Sequence, residues 1–328
     1  MVDAAAELAQ SFADLRVPVL QAPMFLVSSH RLARAASVAG AIGAFQLANP
    51  SSTDELASWL DALTNEARTR RDAGLPFAPW CVNVNASGRS RKGYAERVDL
   101  CARARVPLVL SSTGDPTPLV PRVHDWGGRV IHDVTTLRFA EKAIAAGVDG
   151  LMLTCAGSGG HTGALSPFAF LPQVRAAFDG LIVLAGGMAE ASAIRGALAL
   201  GADLVCMGTR FVATRESEAP EAYKEMLVSS ESEDVIETDA VAGLTANWLR
   251  PSMVAAGLDP DRLPAPRGRR PDLPDGARAW KTVWSAGHTV GLVGDVPSVE
   301  TLIDRLAADL ADDLSPGWQG ALAGRLGL

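Results

Sequence analysis

Ala156-Gly157-Ser158-Gly159-Gly160-His161-Thr162-Gly163 follows the apolar run Gly150-Leu-Met-Leu-Thr154, which reads as a buried strand. Four of its eight residues are glycine, and one is an ionisable imidazole. A glycine run just after a strand lets backbone come close to a ligand, because no Cβ intervenes. A histidine held there is placed for proton chemistry or for a hydrogen bond to a bound group. The competing reading is a flexible connector that happens to carry a histidine. The rest of the chain decides between them.

From Val17 to about Phe211, short apolar runs alternate with longer amphipathic ones. The runs are Pro18–Met24, Ile42–Ala48, Phe77–Asn85, Val106–Ser112, Arg129–Thr135, Gly150–Thr154, Leu181–Ala185 and Leu204–Met207, eight in all. Near-continuous apolar runs suit parallel strands covered on both faces. Helix signals lie between them. Ser28 is placed as an N-cap for a helix to Ala39, Ser52-Thr-Asp-Glu opens a helix to Arg70 with an acidic first turn, and Ala189–Leu200 is rich in Ala and Leu. Gly40, Gly147 and Gly201 stand just past helices, where a C′ glycine is expected. Eight β-then-α units predict an α/β fold, a (β/α)8 TIM barrel. A doubly wound open sheet is the alternative, but no Gly-x-Gly-x-x-Gly opens a first helix, which weakens a nicotinamide-binding Rossmann reading.

After Phe211 the rhythm changes. Glu216–Val228 reads as a last barrel helix. Residues 229–294 carry many prolines, the tryptophans Trp248, Trp280 and Trp284, and the basic cluster Arg267-Gly-Arg-Arg270. They read as a smaller, mostly helical lid over the barrel mouth, and the cluster as a solvated loop, with phosphate recognition the weaker alternative. Within 295–328, Ser298–Leu310 reads as a helix packing back on the barrel. The expected organisation is therefore a barrel over 1–228, a lid over 229–294 and a returning C-terminal segment over 295–328.

The chain has 328 residues, nearly half of them hydrophobic, and a formal charge of −7 with acids and bases mixed along its length. No basic stripe speaks for nucleic acid. Cys81, Cys101, Cys155 and Cys206 are widely spaced and read as buried thiols rather than disulfides or a metal site. The N-terminus shows no signal-peptide pattern, and no apolar stretch reaches membrane-spanning length. The expectation is a soluble cytoplasmic protein acting on a small molecule, with oligomerisation left open.

In a (β/α)8 barrel the site forms at the C-terminal strand ends. The ends here are Gln21-Ala-Pro-Met24, Asn83 to Asn85, His132-Asp133, the glycine-rich loop with His161, Ala185-Gly-Gly-Met188 and Met207-Gly-Thr-Arg-Phe211. Gly186 and Gly187 stand before a helix, and Gly208 and Thr209 follow the eighth run. Backbone N–H groups at such loops form an anion site, and this fold often binds phosphate after strands seven and eight. The bland reading is a pair of tight turns. One anion site beside a wide apolar mouth suits a mononucleotide such as FMN.

Gln21-Ala-Pro-Met24, Ala156–Gly163, Leu184-Ala-Gly-Gly-Met188 and Met207-Gly-Thr-Arg-Phe211 stand in the order and spacing of the nitronate monooxygenase family, which the chain resembles from Val17 to Phe211. The tail, with Thr238-Asp-Ala-Val-Ala-Gly243 and Asn247-Trp-Leu-Arg-Pro-Ser252, is similar to bacterial members. The resemblance implies an FMN-bearing barrel that oxidises alkyl nitronates, and neutral nitroalkanes, with O2. It implies that Ala22, Pro23 and Met24 lie along the flavin ring and that Asn83 contacts it. Gly186, Gly187, Gly208 and Thr209 would hold the phosphate. His161 would be the catalytic histidine, taking the α-proton of a nitroalkane or binding the nitro group of a nitronate.

Two strand ends depart from the family pattern. Leu110-Ser-Ser-Thr-Gly-Asp115 stands where many members are Phe-rich, and His132-Asp133 where lysine is common. These departures bear on the substrate more than on the cofactor. His132, Ser158 and Gly160 are the candidate substrate contacts; His30, His124 and His288 read as structural. Flavin-dependent enoyl-thioester reductases using NAD(P)H are similar over the same motifs and supply the second functional reading. A flavin-binding protein without turnover is the third.

Overall fold

The computed structural model describes residues 4–90, 93–263 and 273–328; the basic cluster at 267–270 lies outside the described residues. Its strands are β1 (Val19–Gln21), β2 (Gly43–Gln46), β3 (Trp80–Asn85), β4 (Leu108–Ser112), β5 (Arg129–Val134), β6 (Gly150–Thr154), β7 (Gly160–His161), β8 (Leu181–Ala185), β9 (Leu204–Met207), β10 (Val235–Thr238) and β11 (Ala246–Leu249). Eight of them form one parallel sheet in the order β1-β9-β8-β6-β5-β4-β3-β2. A parallel bridge between Leu20 and Ile42 joins its two ends, so the sheet closes into the expected barrel.

Alternation along each strand sorts the side chains into two layers. Leu20, Ala44, Cys81, Leu110, Ile131, Met152, Val183 and Cys206 fill the barrel interior. Val19, Phe45, Val82, Val109, Val130, Leu151, Ile182 and Val205 face the surrounding helices. This two-sided burial is why the runs read as continuously apolar. The N-terminal end of the barrel is plugged by Leu8, Phe12 and Leu15, from the helix Ala4–Phe12 and the turn after it, and by Leu322, Ala323 and Leu326 around the helix Trp318–Arg325.

Local signals set the helix boundaries. Ser52 accepts from the Glu55 N–H at 3.0 Å, and Ser298 from the Thr301 N–H at 3.1 Å, both N-cap bonds. The first barrel helix runs His30–Ala39 and is capped by Ser29, one residue beyond the Ser28 expected from the sequence. Ser28 is used elsewhere: its Oγ accepts from the Met24 N–H at 2.9 Å and from Gln21 Nε2 at 3.0 Å, closing the loop after β1. The helix expected from Glu216 begins only at Glu221, after Pro220. Val299–Asp309 packs against His30–Ala39, burying Val299, Leu302, Ile303 and Leu306 in the outer core. Arg210, after β9, is 5% exposed and ion-paired to Asp295, which also binds Arg305 at 2.6 Å and so ties this returning helix to the barrel mouth.

The segment over the mouth contains strands as well as helical turns. β10 pairs antiparallel with β11, and β11 pairs with β7, so the glycine-rich loop itself becomes the third strand of a small sheet. The sequence shows no such element, because β7 is only two residues long and its partner lies more than eighty residues away. Among the described residues no helix is long and apolar enough to cross a membrane. All four cysteines are free and buried.

Candidate active site

Loops from β1, β6, β8 and β9 meet at the C-terminal end of the barrel. Ala22, Pro23 and Met24 are half-buried there. The Ala22 N–H donates to the Met207 carbonyl at 2.9 Å, and Asn49 Nδ2 donates to the Met24 carbonyl at 3.0 Å. A Cβ on Gly208 would stand 3.6 Å from Ala22 Cβ and 3.8 Å from Met24 Sδ, so the β1 and β9 loops form one wall. A Cβ on Gly186 would stand 2.8 Å from Ser158 Oγ, which brings the β8 end against the glycine-rich loop.

Gly187 is built differently from its neighbours. Its φ is +78°, a backbone region costly for residues with a Cβ, and no atom lies within 4 Å of where that Cβ would be. Neither Gly187 nor Thr209 uses its N–H on a backbone carbonyl among the described residues. Unused N–H groups beside open space are the chemistry of an anion cradle. The Thr209 hydroxyl accepts from the Gly287 N–H at 2.9 Å and is buried, so its oxygen already holds the covering segment. Anion binding by Thr209 would therefore rest chiefly on its backbone.

The glycine-rich loop leaves β6 under that same segment. The Ser158 hydroxyl is buried and donates to the Cys155 carbonyl at 2.8 Å, closing the turn. Asn247, fully buried, donates from Nδ2 to the Ser158 carbonyl at 2.7 Å. A Cβ on Gly159 would come within 2.8 Å of the Gly287 nitrogen, so the close approach of the two backbones requires glycine there. The loop then enters β7, where Gly160 stands opposite Asn247 and His161 opposite Ala246.

His161 is held edge-on to Trp280, with ring centroids 5.4 Å apart, and Trp280 rests on Trp248 at 4.3 Å. Its Nδ1 lies 3.4 Å from the Thr245 carbonyl oxygen. A carbonyl only accepts, so the proton belongs on Nδ1 and the lone pair on Nε2. The ring is exposed, yet the protein packed along its flanks disfavours the imidazolium and lowers the pKa, an effect partly offset by the Thr245 carbonyl. A neutral imidazole with an unprotonated Nε2 is a competent base at neutral pH.

Below the loops, the strand ends turn polar side chains into the barrel. Continuing the inward positions Ala44, Cys81, Leu110, Ile131 and Met152 by two residues gives Gln46, Asn83, Ser112, Asp133 and Thr154. Asn83 Nδ2 donates to the Leu110 carbonyl at 2.9 Å and to Ser112 Oγ at 3.1 Å, leaving Oδ1 as its remaining polar atom. Thr154 Oγ1 donates to Asp133 at 2.6 Å. Burial pushes the Asp133 carboxyl up to about 6, against the opposing effect of that hydrogen bond.

The same alternation corrects the expectation for His132. Its neighbours in parity, Val130 and Val134, belong to the outer core, so His132 points away from the barrel interior and Asp133 points into it. His132 is 5% exposed, its Nδ1 has no hydrogen-bond partner, and burial pushes its pKa down to about 4, with Asp115 opposing. It is a neutral packing residue, not a wall of the mouth. Of the histidines read as structural, His124 pairs with Asp149 at 2.8 Å, and the His288 backbone N–H bonds the Gly157 carbonyl at 3.0 Å, holding the covering segment on the glycine-rich loop. Asp133, Asn247 and Trp280 were not singled out as site residues in the sequence. Inward parity at a strand end was the available signal for Asp133; Asn247 and Trp280 reach the loop only through tertiary contacts.

Two clefts lie elsewhere. One of about 450 Å3 is bounded by Leu26, His30, Glu55, Trp59 and Glu218, and one of about 530 Å3 lies at the plugged end near Leu8 and Phe77. Neither is lined by His161 or Gly187, and the convergence of four loops outweighs their size in locating the site. Among the described residues no cluster of His, Cys, Asp or Glu is placed to hold a metal ion.

A family model described as nitronate monooxygenase matches residues 7–309. The nitronate monooxygenase of Pseudomonas aeruginosa is 29% identical, over 89% of this chain and 97% of that protein. A Rhodococcus jostii protein named (3aS,4S,5R,7aS)-5-hydroxy-7a-methyl-1-oxo-octahydro-1H-indene-4-carboxyl-CoA dehydrogenase is 26% identical, over 89% of this chain and 92% of that protein. Among solved structures, nitroalkane oxidase from Streptomyces ansochromogenes shares the fold with a TM-score of 0.73 at 24% identity, covering 93% of this chain and 98% of that one. With nearly its whole length inside the family model, the chain is an oxidoreductase belonging to the nitronate monooxygenase family.

Proposed function

We propose that the protein binds FMN across the barrel mouth and oxidises alkyl nitronates with O2, accepting neutral nitroalkanes where His161 first removes a proton. The observation that carries this reading is the pairing of a neutral, exposed His161 with the open cradle at Gly187 on neighbouring loops. Gly186, Gly187, Gly208 and Thr209 would take the phosphate through backbone N–H groups. Ala22, Pro23 and Met24 would line the flavin ring, with Asn83 offering a polar contact from β3. Bound FMN would supply the electron-accepting chemistry. His161 Nε2 would draw the α-proton from a nitroalkane, and the Thr245 carbonyl would stabilise the imidazolium through the Nδ1 proton. For a preformed nitronate the same ring, once protonated, would bind the nitro oxygens.

A second reading has its own support: the full-length likeness to a CoA-thioester dehydrogenase. Under it, His161 would serve proton transfer on an acyl thioester: in the reductase direction NAD(P)H would donate the electrons to an enoyl thioester, and in the dehydrogenase direction the thioester would give its electrons to the flavin and an external acceptor would take them on. Oxygen uptake separates the two. The purified yellow protein mixed in air with propionate-3-nitronate or 2-nitropropane should consume O2 and release FMN on heating. No uptake, together with bleaching of the flavin by NAD(P)H, would transfer the assignment to thioester chemistry.

A further inference from the structure

Asp133 is a carboxyl group in an unusual place. It stands at the inward-facing end of β5, two residues beyond the interior Ile131 and on the side of the barrel where the loops of the mouth gather, and it is half-buried. The hydrogen bond it receives comes from Thr154 Oγ1. Among the described residues no cation contributes to its surroundings; burial and the Thr154 bond account for its electrostatics. The ionisable groups near it are the thiols of Cys155 and Cys206, both pushed upward by burial and uncharged near neutrality. A carboxylate with one neutral donor and a remnant of water contact is poorly stabilised. Burial has already brought its pKa up to about 6.

We propose that Asp133 is the proton-holding floor of the cofactor mouth: seating the flavin ring over it closes the carboxyl in its protonated form, so that binding takes up one proton. This rests on the FMN reading above. A ring laid over the mouth removes the last water from the carboxyl and supplies no positive charge, which raises its pKa further. Linkage then fixes the sign. The free protein begins to lose the proton as pH rises through about 6 while the complex keeps it, so flavin affinity is highest at acid pH and falls above that point. Protonated, the carboxyl is also a hydrogen-bond donor in a ring of side chains that, apart from Asn83 and Gln46, offers only hydroxyls.

Two other titrations run through the same range. The FMN phosphate loses its second proton near pH 6 and binds a cradle of N–H groups better as the dianion, so its effect has the opposite sign. His161 gains charge only on the acid side. Riboflavin, which has no phosphate, isolates the ring, and comparison with a variant lacking the carboxyl removes the His161 contribution.

The experiment is a fluorescence titration of apoprotein with riboflavin and with FMN between about pH 5 and pH 9, for the wild type, Asp133→Asn and Thr154→Val. Wild-type affinity for riboflavin should fall by up to about tenfold per pH unit above about pH 6, while Asp133→Asn holds the acid-pH affinity throughout. Thr154→Val removes the bond that favours the anion, so the fall should begin at higher pH; this variant keeps the carboxyl and tests the idea even if Asp133→Asn folds poorly. A flat wild-type profile, or a slope that survives in Asp133→Asn, overturns the proposal and leaves the FMN assignment standing. Failure of both flavins to bind at any pH overturns the FMN assignment and the proposal with it.

Discussion

Gly187→Asp is the sharpest test of the phosphate cradle. The Cβ position at Gly187 is empty out to 4 Å, so the apoprotein can accommodate a side chain there, whereas a phosphate seated on the loop would meet it. The left-handed φ of +78° strains any Cβ, but Asp and Asn bear it comparably and in free and bound protein alike. Strain therefore lowers Tm by a few degrees without entering the affinity. Charge does enter it. At about 5 Å and an effective dielectric of about 40, suited to this exposed loop, two unit charges repel by roughly 1.7 kcal/mol. A phosphate of about −1.5 to −2 charge raises this to about 3 kcal/mol. FMN affinity should then fall by roughly a hundredfold, with Gly187→Asn losing about tenfold or less through steric contact alone. Flavin fluorescence quenching on apoprotein at low and high salt gives both constants. The Asp–Asn difference should shrink as salt screens it. Equal affinities for the two variants, or full flavin retention by Gly187→Asp on purification, would refute the cradle.

Other substitutions test other links. His161→Ala should lower turnover of neutral nitroalkanes by roughly 10²–10⁴-fold and that of preformed nitronates less, measured as oxygen uptake; equal activity on the neutral substrate removes His161 from the base role. Asp133 has a folded pKa of about 6, above its value of 3.8 in the unfolded chain, so its contribution to apoprotein stability is full below about pH 4 and lost as pH rises through 6. Asp133→Asn should accordingly raise the apoprotein Tm at pH 8, by an amount on the order of 1–3 kcal/mol in stability, and leave it unchanged near pH 4. Asp295→Ala leaves the Arg210 guanidinium buried without its carboxylate, and should cost about 2 kcal/mol once discounted for the partial exposure of Asp295. Thermal melts at neutral pH would show it, and an unchanged Tm would mean that Arg210 is satisfied by the Ala213 carbonyl, at 3.3 Å, and by water.

Much of the site was readable because its parts are local. A glycine run directly after an apolar strand, and two more glycines each directly after another, place backbone at strand ends whatever surrounds them. Gly186, Gly187 and Gly208 follow β8 and β9 directly, and Ala22 to Met24 follow β1, at the C-terminal strand ends. Ser28 shows the limit of local reading. Either serine before His30 makes a good cap, and the choice fell to Ser29 because Gln21 and Met24 draw Ser28 into the preceding loop. His132 shows another. Both residues of His132-Asp133 are polar at a strand end, and only strand parity within the closed barrel turns the carboxyl inward and the imidazole outward.

By itself the sequence determined an α/β fold of eight parallel strands, since eight apolar runs each followed by an amphipathic stretch call for helices over both faces of the strands, and it favoured a barrel; the Leu20–Ile42 bridge closes it rather than leaving an open doubly wound sheet. It also determined where the glycines would open the mouth. Tertiary structure alone decided the surroundings of His161. The antiparallel pairing of Gly160–His161 with Ala246–Leu249, the Thr245 carbonyl at Nδ1 and the Trp280 ring beside it come from segments between eighty and one hundred and twenty residues away. Sequence periodicity reports on neighbours along the chain, whereas the proton affinity of an imidazole depends on whatever protein is packed around it.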